Sequence, residues 1–167
     1  MNKTLQLLLL FFFLLFLQVL VLNNIRFLGY INPYLYIAFV FLFPIKENRF
    51  AFLFTSFLLG LCVDFFSDSG GIHAFSIVSI AYIRLSFIRI LFRKLPVDYP
   101  FFKLSTEPFG KVLNYVIFLT VMHHFILFSF TNFSFTNFSH VLLNTLFSSI
   151  FTVVLFFLGT RIFTKEP

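Results

Sequence analysis

The 167-residue chain has no tryptophan, one cysteine (Cys62) and only six acidic residues. Charged side chains make up 11% of it, against about 25% in a soluble domain. The lone cysteine excludes an internal disulfide and a cysteine-built metal site. No G-x-S-x-G, Walker loop or H-E-x-x-H is present, so the usual signatures of hydrolases, phosphate-loop enzymes and zinc proteases are missing. The shortage of charge also argues against a disordered regulator and a nucleic-acid module, both of which live on charged surface.

What fills the chain is apolar: 60% hydrophobic and 23% aromatic residues, with 32 phenylalanines. A domain of this length buries only about two-thirds of its surface, so this much apolar area needs lipid as its solvent. Six apolar segments follow, at about residues 4–22, 31–45, 50–66, 72–91, 112–130 and 140–163. The expected fold is a single all-α integral membrane domain of six transmembrane helices. The last two segments share Val112–Thr160, which has no Lys, Arg, Asp or Glu and is long enough for two crossings of about 20 residues. The N-terminal run imitates a signal peptide, but it continues to Leu22 without a small-residue cleavage site, which reads as a retained helix.

The net charge of +6 is a topology signal. With the N-terminus inside, the inner segments hold Lys3, Lys46, Arg49, Arg89, Arg93, Lys94, Lys103, Lys111, Arg161 and Lys165; the outer segments hold only Arg26. Such asymmetry puts both termini in the cytoplasm and requires an even number of spans. The longest polar connection, about residues 92–111, carries Pro96, Pro100 and Pro108 and reads as an irregular cytoplasmic loop. Between the fifth and sixth segments the pentapeptide FTNFS occurs twice, at Phe130–Ser134 and Phe135–Ser139. Its N-F-S triplets match a glycosylation sequon, but duplication in a tolerant loop is the preferred reading.

Few residues are able to carry chemistry. Asp64 lies about 21 Å along the third helix, a depth at which a carboxylate is by default functional; a structural anchor is preferred over a catalytic role. Asp68, ahead of Ser69, Gly70 and Gly71, reads as a turn residue. Arg84 falls past the middle of the fourth helix, where snorkelling to the cytoplasm is preferred over pairing with Asp64. Ser76, Ser79, Tyr82, Ser86, Arg89 and Arg93 recur at spacings of three and four, a face expected to turn towards other helices. Thr145, Ser148, Ser149, Thr152 and Gly159 form a similar seam. His123 and His124 are adjacent, so they project differently and make a poor metal pair. No mid-membrane cluster of hydrogen-bonding groups is legible. Gly60-x-x-x-Asp64-x-x-x-Asp68 resembles the second half of the CDP-alcohol phosphotransferase signature, but the Asp-Gly pair and the Ala-Arg that the first half should supply upstream are missing from Glu47-Asn-Arg-Phe-Ala-Phe52.

The connection Gly60-Leu-Cys-Val-Asp64-Phe-Phe-Ser-Asp-Ser-Gly70-Gly71-Ile72-His73-Ala74 resembles the hallmark of the MreD rod-shape-determining family: G-L-x-x-D, a Ser/Gly turn, then G-[LI]-H-A opening the next helix. Gln18 and Pro33 also resemble family positions, and the six-segment layout agrees along nearly the whole chain. Tyr34 departs from the acidic residue that often follows the proline. The resemblance implies a compact bundle similar to the S components of energy-coupling-factor transporters. It implies a non-enzymatic, cofactor-free scaffold in the bacterial inner membrane. The implied partners are MreC, then RodA and a class B penicillin-binding transpeptidase, with MreB filaments indirectly, in lateral peptidoglycan synthesis. The alternative is a substrate-binding subunit of a vitamin transporter. From the residues alone, Asp64 is expected to accept hydrogen bonds from the free N–H groups that open the fourth helix.

Overall fold

A computed structural model describes residues 2–25, 31–45, 48–93, 103–132 and 138–163. Arg26, Lys46, Lys94, Lys165, Pro96, Pro100, most of the 92–111 loop and the centre of the FTNFS duplication lie outside the described residues. Among the described residues the regular elements are helices: α1 (Lys3–Phe16), α2 (Ala38–Leu42), α3 (Arg49–Ser67), α4 (Ile72–Phe92), α5 (Phe109–Thr131) and α6 (Phe138–Phe163). Counting the turns that continue α1 to Asn24, five helices among the described residues are long and apolar enough to cross a membrane, with mean hydropathies of 1.7 to 2.8. The chain is a multi-pass, all-helical membrane protein.

Four helices match the expected segments within three residues at each end. α3 starts at Asn48, whose side chain accepts from the Phe50 N–H at 2.9 Å, an ordinary N-cap. It stops at Asp68, whose backbone is left-handed (φ 50°). α1 ends unusually: Leu17–Val21 form a π turn and Leu22–Asn24 a 3-10 turn. The π turn is wider than an α turn and the 3-10 turn tighter, and π turns within helices often mark functional positions.

The second segment is not the helix expected over residues 31–45. A 3-10 turn over Leu35–Ile37 leads into α2, which ends at Leu42. Eight helical residues rise about 12 Å, far short of a bilayer. The reasons are local. Pro33 and Pro44 flank the run, and proline donates no hydrogen bond and disfavours helix in the residue before it. α2 is nonetheless the centre of the molecule: Ala38, Phe39, Val40 and Phe41 are all buried. A helix apolar on every side belongs inside.

Around α2 the helices pack in chain order, α3 on α4, α4 on α5 and α5 on α6. Asn23 Nδ2 donates to Ser67 Oγ at 2.9 Å, so α1 and α3 finish at the same end of the bundle, called here the elbow end. At the far end, Phe43 packs on Phe52 near the start of α3, and Phe92 on Tyr115 near the start of α5. Residues 31–45 therefore run from the elbow end towards the far end through the protein interior.

Candidate functional site: a polar chain behind the elbow

The elbow joins α3 to α4. Asp64, 4% exposed, accepts from the His73 N–H at 2.9 Å on one carboxylate oxygen and from the Ala74 N–H at 2.8 Å on the other. The Ser69 hydroxyl donates to the first oxygen at 2.6 Å. The Ser69 bond is an addition; the two bonds from the helix N–H groups are those anticipated from the sequence. They place a negative charge on the positive end of α4, where the first N–H groups have no helical partner. The return is made by Gly70 (φ 64°) and Gly71 (φ 94°), conformations that suit glycine. Gly60 has a separate role. A Cβ there would lie 2.5 Å from Ala74 Cα and 2.8 Å from Ala74 N, so its absence lets α4 close down on α3 and brings Ala74 within reach of Asp64.

The broken second segment is tied to the same place. Non-helical backbone at membrane depth persists only where protein groups satisfy it, and here side chains from distant helices do so. Gln18 is buried inside the π turn of α1. Its Nε2 donates to Pro33 O at 3.1 Å and to Asn23 Oδ1 at 2.9 Å, and its Oε1 accepts from the Tyr36 N–H at 3.3 Å. From α6, Ser148 Oγ accepts from the Asn32 N–H at 3.3 Å and Thr152 Oγ1 from the Tyr34 N–H at 3.1 Å.

The third component is a cluster the sequence reading had not found. The Tyr36 hydroxyl bridges His73 Nδ1 at 3.0 Å and His123 Nε2 at 2.7 Å. A phenol has one proton, so it donates to one imidazole and accepts an N–H from the other. His124 binds the Thr120 carbonyl through Nδ1 at 2.8 Å, and its Nε2 lies 3.2 Å from Thr152 Oγ1. The Tyr34 ring packs against His73 and His124 with centroids 5.2 and 5.5 Å apart. A continuous path thus runs from Asp64 through His73 and Tyr36 to His123, with Gln18 joined at the Tyr36 backbone. His123 Nδ1 and the hydroxyls of Thr120, Thr145 and Ser149 are buried without a hydrogen-bond partner among the described residues. The adjacent histidines do project differently, as expected, but both point inward, because α5 is flanked by α4 and α6. Among the described residues no group of three or more His, Cys, Asp or Glu is arranged to hold a metal.

Arg84 corrects a second expectation. It does not snorkel to water; it is 3% exposed. Its Nε donates to Tyr115 Oη at 3.1 Å, an Nη donates to Phe43 O, and the guanidinium lies 5.0 Å over the Phe52 ring. Phe43 O is a carbonyl released by the early end of α2 before Pro44, so Arg84 secures the far end of the broken segment as Gln18 secures the near one. Ten residues of α4, about 15 Å, separate Arg84 from the position that Asp64 caps, so each buried charge is satisfied on its own.

The α4 stripe is the third difference. Only Ser76 turns fully inward. Tyr82, Ser86, Arg89 and Arg93 are exposed and Ser79 is half-buried, because the opposite face, with Ile77, Ile80, Arg84 and Ile88, covers the core. The α6 seam is buried through Thr145, Ser148, Ser149 and Thr152. Of the sequence candidates, Gln18, Pro33, Gly60, Asp64, Gly70, Gly71, His73 and Ala74 come together at the elbow end, and Arg84 stands apart. Missing from that set were Tyr36, His123, His124, Thr152 and Ser148. One signal could have found them: paired polar residues at helical spacing on α5 and α6 opposite a proline-interrupted segment. Comparison with protein-family models, curated proteins and solved structures finds no match.

Proposed function

We propose that this chain is a membrane scaffold of the MreD type in a bacterial inner membrane, without enzymatic activity, supporting lateral wall synthesis through MreC and, beyond it, RodA, a class B penicillin-binding transpeptidase and MreB. The observation that carries the reading is the convergence of eight residues that carry the resemblance, drawn from four segments, into one hydrogen-bonded and close-packed unit. Within it Asp64 accepts from three donors, two of them the N–H groups that open α4, which favours a rigid joint. The exposed stripe on α4 supports the partner: residues 82, 86, 89 and 93, continued by the half-buried residue 79, follow the three–four alternation of a helix seam. A polar seam facing hydrocarbon is satisfied by another membrane helix.

In this reading the chain crosses the membrane six times, with both termini and the far end cytoplasmic and the elbow outside, in a bundle akin to the energy-coupling-factor S components. Two facts favour six crossings over five. The Asn23–Ser67 bond requires the chain to return across the bundle before α3 begins, and residues 31–45 supply that return. The far end also carries Arg49, Arg89, Arg93 and Lys111, in agreement with the positive-inside rule.

The test is depletion with imaging of cell shape, complemented by the parent chain or by a variant with Tyr82→Leu and Ser86→Leu. The parent restores rods and co-purifies a single-span partner; the variant folds and loses the partner. Rods that persist on depletion would end the proposal. A second reading, a substrate-binding transporter subunit, is favoured by one feature: a broken helix beside a buried Tyr–His cluster, as in transport sites. Native mass spectrometry after gentle purification separates the two, since only that reading expects a bound small polar molecule and an ATPase-linked partner.

A further inference from the structure

Of the three histidines in the cluster, one has its proton fixed by its partner and two do not. A carbonyl only accepts, so the 2.8 Å bond to Thr120 O requires a proton on His124 Nδ1. The Tyr36 hydroxyl imposes no such choice. It lies 3.0 Å from His73 Nδ1 and 2.7 Å from His123 Nε2, both within reach for proton transfer, and each imidazole is able to donate or accept there. In one arrangement Tyr36 accepts from His73 Nδ1 and donates to His123 Nε2, so His123 carries its proton on Nδ1. In the other both bonds reverse, and the protons of the two rings sit on His73 Nε2 and His123 Nε2. The number of hydrogen bonds made by Tyr36 is the same in both, and no heavy atom has to move between them.

Passage from the first arrangement to the second is a chain of transfers. Water gives a proton to His73 Nε2, His73 Nδ1 gives its proton to Tyr36 O, Tyr36 gives its own to His123 Nε2, and His123 releases the one on Nδ1 to a hydroxylic acceptor. One proton enters, one leaves, and all three groups end neutral. The two ends differ in access. His73 opens α4 at the elbow and is 5% exposed, whereas Tyr36, His123 and His124 are fully buried. His123 lies eight residues before the end of α5 at Thr131, about 12 Å inside the elbow end. At that inner end His123 Nδ1 and the hydroxyls of Thr120, Thr145 and Ser149 have bonding capacity unused among the described residues. The groups facing the file come from every neighbouring element: Tyr34 from its own segment, Asp64 from α3, His124 from α5, the Gln18 amide from α1 and the Thr152 hydroxyl from α6.

We propose that His73, Tyr36 and His123 form a proton relay, which carries protons between water at the elbow end and the interior seam of α5 and α6. Chains of ionisable side chains at membrane depth serve this purpose in pumps and transporters. The inference goes beyond the scaffold reading and stands whichever partner the α4 seam engages.

The chain has four histidines, so nitrogen-15 labelling of their rings gives a spectrum that single substitutions assign. The full chain in lipid nanodiscs should show His124 protonated at Nδ1 alone. His73 and His123 should each show both tautomers, with equal fractions protonated at Nδ1, because Tyr36 couples them. On transfer to heavy water, the His123 ring proton should exchange as fast as that of His73 and about tenfold faster than that of His124. Tyr36→Phe should slow His123 to the rate of His124 and leave His73 unchanged. One fixed tautomer on His73 or His123 in the parent chain would overturn the relay. So would equal exchange of His123 and His124 in the parent, which signals opening of the bundle, or undiminished exchange of His123 in Tyr36→Phe. Should Tyr36→Phe fail to fold, His123→Leu leaves the hydroxyl one imidazole to serve. His73 should then settle with its proton on Nε2, and a persisting mixture of its tautomers would refute the coupling.

Discussion

Replacing Asp64 by asparagine removes one formal charge and changes one atom, so its effect isolates the elbow. In the parent, one carboxylate oxygen takes Ser69 and His73 and the other takes Ala74. An asparagine keeps one acceptor. If that oxygen serves Ser69 and His73, the amide NH2 faces the Ala74 N–H, donor against donor, and a buried N–H is orphaned. Losing a hydrogen bond to a charged group costs about 1.5–3 kcal/mol. Losing a carboxylate from a helix N-terminus adds about 0.5–1 kcal/mol. Asp64→Asn should therefore destabilise by about 3 kcal/mol, and Asp64→Ala, which orphans both helix N–H groups, by about 5 kcal/mol. Asp68→Asn is the control: Asp68 is exposed in a left-handed position that asparagine tolerates, and its effect should stay within about 0.5 kcal/mol. Reversible unfolding in mixed detergent and dodecyl sulfate, followed by far-ultraviolet circular dichroism, gives all three values. An Asp64→Asn protein as stable as the control would refute the capping argument, however short the hydrogen bonds are.

Gly60→Ala should destabilise by about 1–3 kcal/mol by forcing α4 off α3. Because that shift also moves Ala74 away from Asp64, the double variant with Asp64→Asn should fall short of the sum of the two single effects; strict additivity in the same unfolding assay would count against a shared joint. Tyr36→Phe removes the hydroxyl between His73 and His123 and should cost about 1–3 kcal/mol; it should also release both imidazoles, seen as changed ring-proton shifts in selectively labelled protein. Arg84→Met keeps the bulk but leaves Phe43 O unpaired, with an expected loss of about 1–3 kcal/mol. Arg84→Lys should recover only part of that loss, since an ammonium lacks the planar fork that reaches Tyr115 and Phe43 together.

Much of the site was legible in local sequence. The alternation of glycine, acid and glycine turn between two apolar runs gives the elbow directly, because a cap and the helix it caps are close in sequence and their geometry is nearly the same in any protein. Arg84 shows the limit. Its depth followed from counting residues, but whether water or a carbonyl would meet its charge depended on where Phe43 ended up. The helical spacing of the α4 stripe was equally clear, yet spacing defines a face and not its direction. The core side of α4 was decided by the close approach at Gly60 and by the isoleucines opposite.

Sequence alone determined the solvent, the five long helices and the turn that joins α3 to α4, since hydropathy, length and capping are properties of contiguous residues. Only the tertiary structure decided the broken second segment and the histidine cluster. Pro33 and Pro44 make that segment a poor helix, but it survives inside the bundle because Gln18, Ser148, Thr152 and Arg84 supply its missing hydrogen bonds, from as far as 118 residues away in the chain. A backbone group buried in lipid must find a partner, and which distant side chain provides it is settled when the helices pack.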